Sequence, residues 1–410
     1  MSERVILPLP EALERILSAV PASKAEELGL GDALRRILLQ DVYAAEDVPL
    51  ADVSAMDGFA LRTQDLATGA KLQLVGDAFA GQAYEGSLPP GSCVRVMTGG
   101  LIPEGADTVV PVEKSSGYEP LEGGVVRFDA EFGVGANIRK RACVRSAGQQ
   151  LLESGTEIRP AVVGVLANQG LSRVQVAVQP RVAILPTGDE VVAIEEQPGP
   201  GQVRNSNAWA LAAQVTACGG LPSMRPVLGD DEALTREQLA AALREHDLVL
   251  TIGGVSMGTK DLVRGAFEAL GGECLVESVL IKPGKPSYFG RIVLEGRESF
   301  LLGLPGNPAS SFTIFALLGE PFLRVFQGES RDLFEERNRG RLHRSSLRKN
   351  RRLQALPGRL WQGPEATVVE ALPEVNSADL FVLADADLLF LVPAGETLQD
   401  GESVEWLPLP

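Results

Sequence analysis

The chain has 410 residues, a formal net charge of −16 and 45% apolar side chains. A length of this order calls for about two to four domains rather than one core. The acidic balance argues against a nucleic-acid partner held through its phosphates, and apolar content at ordinary charge density excludes a disordered chain.

Met1–Pro10 has no apolar core of signal-peptide length, and no later run reads as a membrane span. The expected compartment is the cytoplasm, with no membrane association. Cys93, Cys143, Cys218 and Cys274 are isolated in the sequence, so neither a disulfide framework nor a zinc cluster is expected. His246 and His343 are the only histidines, and His246 reads as a solvated helix end. Chemistry must therefore fall to carboxylates, lysines, hydroxyls and a hard metal ion.

Pro10–Val20 reads as an amphipathic helix with Leu13, Ile16, Leu17 and Val20 on one face. Ala33–Leu39 is apolar-periodic and precedes an extended segment, Asp41–Pro49. From Ala51 to about Arg141, short β-like runs alternate with Gly and Pro turns: Lys71–Val75, Cys93–Met97, Thr108–Glu113 and Val125–Phe128. That spacing predicts a small β-rich domain. Ala161–Gln169 reads as helix and Arg173–Val178 as strand.

Pro180 opens a different texture. Strand-like Arg181–Leu185, Met224–Leu228, Asp247–Ile252, Leu275–Ile281 and Ser299–Leu302 alternate with helix-like Ala208–Ala217, Glu232–His246, Lys260–Leu270 and Ala309–Phe326. The alternation predicts a parallel sheet covered on both faces. Glu329–Arg352 reads as a basic linker and first strand, and Leu353–Pro410 as β, with Leu388–Val392 its strongest strand.

Thr187–Glu190, Gly253–Gly258 and Gly303–Pro308 each follow a buried strand, and Lys282-Pro283-Gly284-Lys285-Pro286 forms a stiff cationic turn. Glycines there let backbone N–H groups approach a ligand, and strand ends of a parallel sheet are where ligands bind. Asp189 and Glu190 could hold a divalent cation or cap a helix, and Asp261 lies close enough to the second loop to share its ligand. Asn205-Ser206-Asn207 and Asp230-Asp231 sit where helix caps are expected. Ser54–Ala60 taken alone reads as a turn, with Asp57 capping a backbone N–H and Gly58 at positive φ. Together the four segments point to a phosphorylated ligand.

The ordered set resembles the molybdopterin molybdenumtransferases, the molybdenum insertases, a family that includes the gephyrin E domain. The matching segments are Ser54–Ala60, Met97-Thr98-Gly99, Glu104–Val110, Asn137-Ile138-Arg139, Thr187–Glu190, Asn205–Asn207, Gly253–Gly258 with Asp261, Lys282–Pro286 and Gly303–Pro308. The resemblance implies an elongated homodimer of multidomain α/β-plus-β subunits. Residues 1–47 and 142–177 would form a split first domain around an inserted β-rich domain at 48–141. A molybdopterin-binding α/β domain would span 178–327, and a β domain would close the chain at 328–410. The implied reaction is Mg²⁺-dependent insertion of molybdate into adenylylated molybdopterin with release of AMP. An upstream adenylyltransferase and recipient molybdoenzymes would be further partners.

By the same resemblance, Glu190, Asp230 and Asp261 would hold Mg²⁺ and the pyrophosphate. Lys282 and Lys285 would bind anionic oxygen, with Asp57, Thr98 and Arg352 reaching in from the β domains. Gly253, Gly254, Ser256, Gly258, Pro305, Gly306, Asn307 and Ser206 would line the pterin-nucleotide site. The chain departs from the family at the rim. Ala142-Cys143-Val144 stands for Gly-Glu-Asp, Gln354 for a glutamate, and Phe381-Val382 for a Ser-Ser pair thought to help hold molybdate. These changes leave open a non-inserting paralogue that acts as a molybdopterin-nucleotide carrier or scaffold.

Overall fold

The computed structural model describes residues 5–229, 231–254, 262–329, 337–343, 347, 349–363, 366–373 and 376–409. The chain forms two compact units, one of Asp41–Glu153 with Val165–Leu171, the other of Met1–Gln40, Ser154–Gly164 and Ser172–Pro410.

The smaller unit is built on a five-stranded sheet of β1 (Gly58–Leu61), β2 (Lys71–Ala78), β3 (Ser92–Val96), β4 (Thr108–Pro111) and β5 (Val125–Arg127), in the order β4-β1-β3-β2-β5. Alternation puts Phe59 and Leu61 against Leu72, Val110 and Phe128 on one face, and Ala60 against Val94, Val96 and Val109 on the other. Gly58 does not take the positive φ expected of it. It is the first residue of β1, and a β-carbon there would lie 2.1 Å from the Val110 carbonyl oxygen. Close packing of β1 on β4, not a turn, demands glycine.

The larger unit carries the α/β layer. Helix α1 (Leu9–Ser18), with proline in its first turn where a missing N–H costs nothing, buries Leu9, Ala12, Leu13 and Ile16. Then come β6 (Arg181–Pro186), α2 (Ser206–Ala217), β7 (Leu221–Met224), α3 (Glu232–Glu245), β8 (Leu248–Ile252), α4 (Leu262–Ala269), β9 (Glu273–Val276), β10 (Ile281–Lys282), β11 (Tyr288–Leu294) and β12 (Arg297–Leu304). Helices α5 (Pro308–Ile314) and α6 (Glu320–Phe326) are joined through a π-helical turn, Phe315–Gly319. Pro321 has no N–H for the Leu317 carbonyl, which accounts for the widened turn. The composite helix Pro308–Phe326 is long and apolar enough to cross a bilayer, contrary to the sequence reading, yet two-thirds of it is buried as a core helix (67%).

The sheet order is β7-β6-β8-β12-β11-β9. Its first four strands are parallel, but β11 runs antiparallel to both its neighbours, β12 and β9, so the sheet is mixed rather than parallel throughout. The cause is a two-residue hairpin: Glu295 and Gly296 both take positive φ (53° and 81°), the geometry that reverses a strand tightly. One face packs Val182, Ile184, Leu250 and Leu302 under α1, α2, α5 and α6. The other packs Ala183, Val249 and Leu301 under Leu239 and Leu243 of α3 and Val263 and Phe267 of α4. Phe289, Phe300 and Phe322 meet at centroid distances of 4.9–5.9 Å and are fully buried. Each contributes about 1.5–3 kcal/mol of apolar burial.

His246 is buried, not solvated. It caps α3 where the chain turns into β8, and its imidazole meets the Ala242 carbonyl at 3.0 Å. Burial lowers its pKa.

The last part is a closed barrel of β13 (Asn338–His343), β14 (Leu353–Gln362), β15 (Thr367–Ala371), β16 (Leu388–Val392) and β17 (Ser403–Pro408), with order β14-β15-β13-β17-β16 and β16 back on β14. A short helix, α7 (Phe381–Ala384), interrupts the expected β pattern. Strand β10 leaves the α/β layer and pairs with the start of β14, Lys282 opposite Gln354. That pairing ties the cationic turn to the barrel.

Candidate functional site

Two neighbouring cavities lie in the larger unit. The first, about 840 Å³, opens at the carboxyl ends of β6, β8 and β12 and is lined by Thr187, Gly188, Glu190, Ser206, Gly253, Gly254, Gly306 and Asn307 among others. Glycines and helix starts converge here because each strand ends in a turn the sequence makes with Gly, Pro, Asn or Ser. Thr187 Oγ1 donates to the Ile252 carbonyl at 2.8 Å and ties two strand ends together. Asn205 caps α2 by accepting the Ala208 N–H at 3.3 Å, while Asn207 Nδ2 donates to the Gly306 carbonyl at 2.8 Å. The Glu190 carboxylate folds back beside Gly188 at the cavity wall, and Asp189 faces Gly229.

The second cavity, about 430 Å³, lies between the Lys282–Pro286 turn, the start of α5 and the barrel. Lys282, Lys285 and Arg352 line it, and among the described residues no acidic side chain does. Backbone anchors fix the turn. Ser278 Oγ donates to the Lys285 carbonyl at 2.7 Å, and Arg352 Nη1 donates to the Ile281 carbonyl at 3.2 Å. Gly284 has a φ of +104° and sits against Ile314, where no side chain fits. Ser310, Thr313, Asn376 and Ser377 add hydroxyl and amide groups, while Ala355, Leu356 and Leu383 give apolar wall. Cations with neutral donors on a partly apolar wall suit a compact oxyanion.

The structure therefore brings Glu190, Ser206, Gly253, Gly254, Gly306 and Asn307 to one cavity, and Lys282, Lys285, Pro305, Asn307 and Arg352 to the other. Asp230, Ser256, Gly258 and Asp261 lie outside the described residues, as do Val255 and Met257 of the Gly253–Gly258 loop. Within the smaller unit, Asp57 and Thr98 meet: Asp57 Oδ1 accepts the Thr98 N–H at 2.7 Å and its hydroxyl at 2.8 Å. The Thr98 backbone bond first, then its hydroxyl, holds the Asp57 carboxyl below the usual 3.8.

Sequence reasoning missed Ser310, Thr313, Asn376 and Ser377. The first two stand three apart on α5 directly after Gly306-Asn307-Pro308, a spacing that places them on one helix face. The altered rim positions take varied surroundings. Cys143 and Val144 are exposed in the smaller unit, and Gln354 is buried beside the cationic turn. Phe381 is 86% exposed, and Leu383 of the same short helix is the one that faces the cavity.

Comparison with known proteins bears on family and fold. The profile of the MoeA N-terminal region (domain I and II) matches residues 7–170, that of a probable molybdopterin binding domain residues 183–325, and that of the MoeA C-terminal region (domain IV) residues 339–409. The molybdopterin molybdenumtransferase of Bacillus subtilis is 32% identical over 80% of this chain and 76% of its own length. That of Haemophilus influenzae is 33% identical over 79% and 78%, and that of Nostoc 32% over 94% and 89%. Two crystal structures of the molybdopterin biosynthesis MoeA protein of Pyrococcus horikoshii superpose with TM-scores of 0.78 and 0.83. They share 28% and 25% identity and cover 98–99% of this chain and 98–100% of their own. By sequence, domain content and fold, the chain belongs to the molybdopterin molybdenumtransferase family.

Proposed function

We propose that this chain completes molybdenum cofactor biosynthesis by inserting molybdate into adenylylated molybdopterin and releasing AMP. The observation that carries the reading is the pair of adjoining cavities. One has nucleotide dimensions and lies at glycine-rich strand ends; the other is smaller, cationic and without a described carboxylate, and Asn307 lines both. In this reading the pyrophosphate lies against the backbone of the first cavity. Lys282, Lys285 and Arg352 neutralise the oxyanion, with Ser310, Thr313 and Ser377 supplying directional donors.

Mg²⁺ fits the first cavity chemically, because the Glu190 carboxylate on its wall is a hard oxygen donor of the kind that cation takes. Glu190, Asp230 and Asp261 would hold it, and when bound it would polarise the phosphoanhydride. The remaining work belongs to the chain: orient the pyrophosphate, hold the oxyanion close and admit to the anhydride the oxygen nucleophile, water or a molybdate oxygen, whose bond to phosphorus replaces the one broken as AMP is released. We further propose a cytoplasmic homodimer with the four-part domain division given by the sequence, and Asp57 and Thr98 as further site residues.

The test is AMP release from adenylylated molybdopterin by the purified protein with Mg²⁺, with and without molybdate. Molybdate-stimulated release with metal-loaded pterin supports insertion. The exposed Phe381, where a serine was expected, favours a second reading as a pterin-nucleotide carrier. Tight nucleotide binding without molybdate-dependent turnover would establish that reading instead.

A further inference from the structure

The two cavities are separated by a thin wall made of the Pro305–Pro308 turn and residues 376–378 of the barrel. Asn307 lines both sides, Ala378 faces the first cavity, and Asn376 and Ser377 face the second. Two hydrogen bonds staple the wall. Asn307 Nδ2 donates to Ser377 Oγ at 3.0 Å, and the Ala309 N–H donates to the Ser377 carbonyl at 3.1 Å.

The arrangement is unusual for a helix start. Asn307 is the N-cap of α5 but makes no side-chain cap bond. An asparagine there ordinarily accepts an N–H of its own helix. Here the Ser377 carbonyl takes the Ala309 N–H, and the Asn307 amide reaches across to the barrel instead. Ser377 Oγ thus accepts one hydrogen and keeps its own proton to donate.

We propose that the Asn307–Ser377 bridge is a positioning element that couples occupancy of the two cavities. A ligand in the first cavity fixes the Asn307 side chain, which in turn orients the Ser377 hydroxyl toward an oxyanion in the second. The inference rests on the functional reading above and goes beyond it by assigning a coupling to Asn307, which the motifs place only in the nucleotide site, and to Ser377, which no motif marks. Coupling between two binding equilibria must be reciprocal.

Calorimetric titration of the full chain with AMP and with molybdate as probes, in Mg²⁺, tests it. In the unaltered chain, saturating AMP should change molybdate affinity by about fivefold or more, and molybdate should change AMP affinity by the same factor. In Ser377→Ala or Asn307→Ala the factor should fall below about twofold, and the double variant should lose no more than either single one. Ser377→Thr, which keeps the hydroxyl, should restore it. The factor is a ratio, so it is read whatever happens to the separate affinities. Undiminished coupling in Ser377→Ala, or none in an unaltered chain that binds both probes, would overturn the inference. A chain that binds neither probe would overturn the functional reading and this inference with it.

Discussion

Gly284→Ala is the most informative single change, because two independent penalties meet at that position. Its φ is +104°, a region that L-residues rarely occupy, and a β-carbon would lie 2.3 Å from Ile314 Cγ1 and 2.6 Å from Cδ1. Ile314 is fully buried in the core under the sheet, so it has no open space to move into. Backbone strain of this kind costs about 1–3 kcal/mol and overpacking about another 1–3. The expected loss is therefore about 2–6 kcal/mol, or a urea midpoint lowered by about 1–2 M. A chain of several domains need not unfold in one step, so the midpoint should be followed with a probe on the α/β layer, such as Trp209 fluorescence. Ile314→Ala alone should cost about 2–5 kcal/mol, but in the Gly284→Ala background about 1–3 kcal/mol of that should be recovered, because the clash is gone. The backbone part should remain. An unchanged midpoint for Gly284→Ala, or strict additivity with Ile314→Ala, would refute this account of why the cationic turn contains glycine.

Lys285→Met should weaken molybdate binding by about 10–100-fold, the worth of one charge-assisted contact, with AMP affinity changed by less than about threefold; equal losses for both ligands would mean that the two cavities are one. Asn205→Ala removes the cap of α2 and should cost about 1 kcal/mol of stability in chemical denaturation. Asp57 should titrate below 3.8 by carbon-detected NMR: its bonds to Thr98 persist above its folded pKa and are lost as pH falls through it. Thr98→Val should raise that midpoint only partly, since the backbone bond is the larger cause. Iodoacetamide at pH 8 should label exposed Cys143 in the folded chain and spare Cys93, whose thiol burial pushes up to about 12; labelling of both at similar rates, read by mass spectrometry, would contradict the burial.

The strand-then-glycine segments were legible because both halves of the signal are local. Val182–Leu185 is a continuous apolar run and Leu248–Ile252 is broken only by Thr251, and the residues after them are turn formers. The hairpin of β11 and β12 was equally local in principle. Glu295-Gly296 sits between two largely apolar, buried runs, yet only Ser299–Leu302 reads as a strand when the search is for buried parallel ones. What could not be read was anything fixed by a distant surface. Gly58 is dictated by the Val110 carbonyl, about fifty positions away, and Gly284 by Ile314 on another element. Ser377 joins the site through contacts to α5 that lie 68 and 70 positions away in sequence, and no periodicity marks it. His246 reads as solvated from its charged neighbours, but at the turn into β8 it is buried with its ring on the Ala242 carbonyl.

The acidic total and the proposed anionic ligands are reconciled by distance. At physiological ionic strength charges separated by more than about 8 Å are largely screened. The net −16 therefore governs solubility and repels polyanions, whereas the field in the second cavity is set by Lys282, Lys285 and Arg352. The same locality bears on the altered rim. Phe381 is 86% exposed and is not among the residues lining the cavity, whose hydroxyls belong to Ser310, Thr313 and Ser377, on α5 and the 376–378 segment. An oxyanion held there would draw its charge neutralisation from the turn and Arg352 and its directional donors from α5 and Ser377, so a missing serine pair on α7 removes donors from the edge and not from the cationic core. The insertase reading therefore asks less of the rim than the sequence implied. Selectivity between oxyanions of equal charge would rest with the neutral donors and with the bridge that aims one of them.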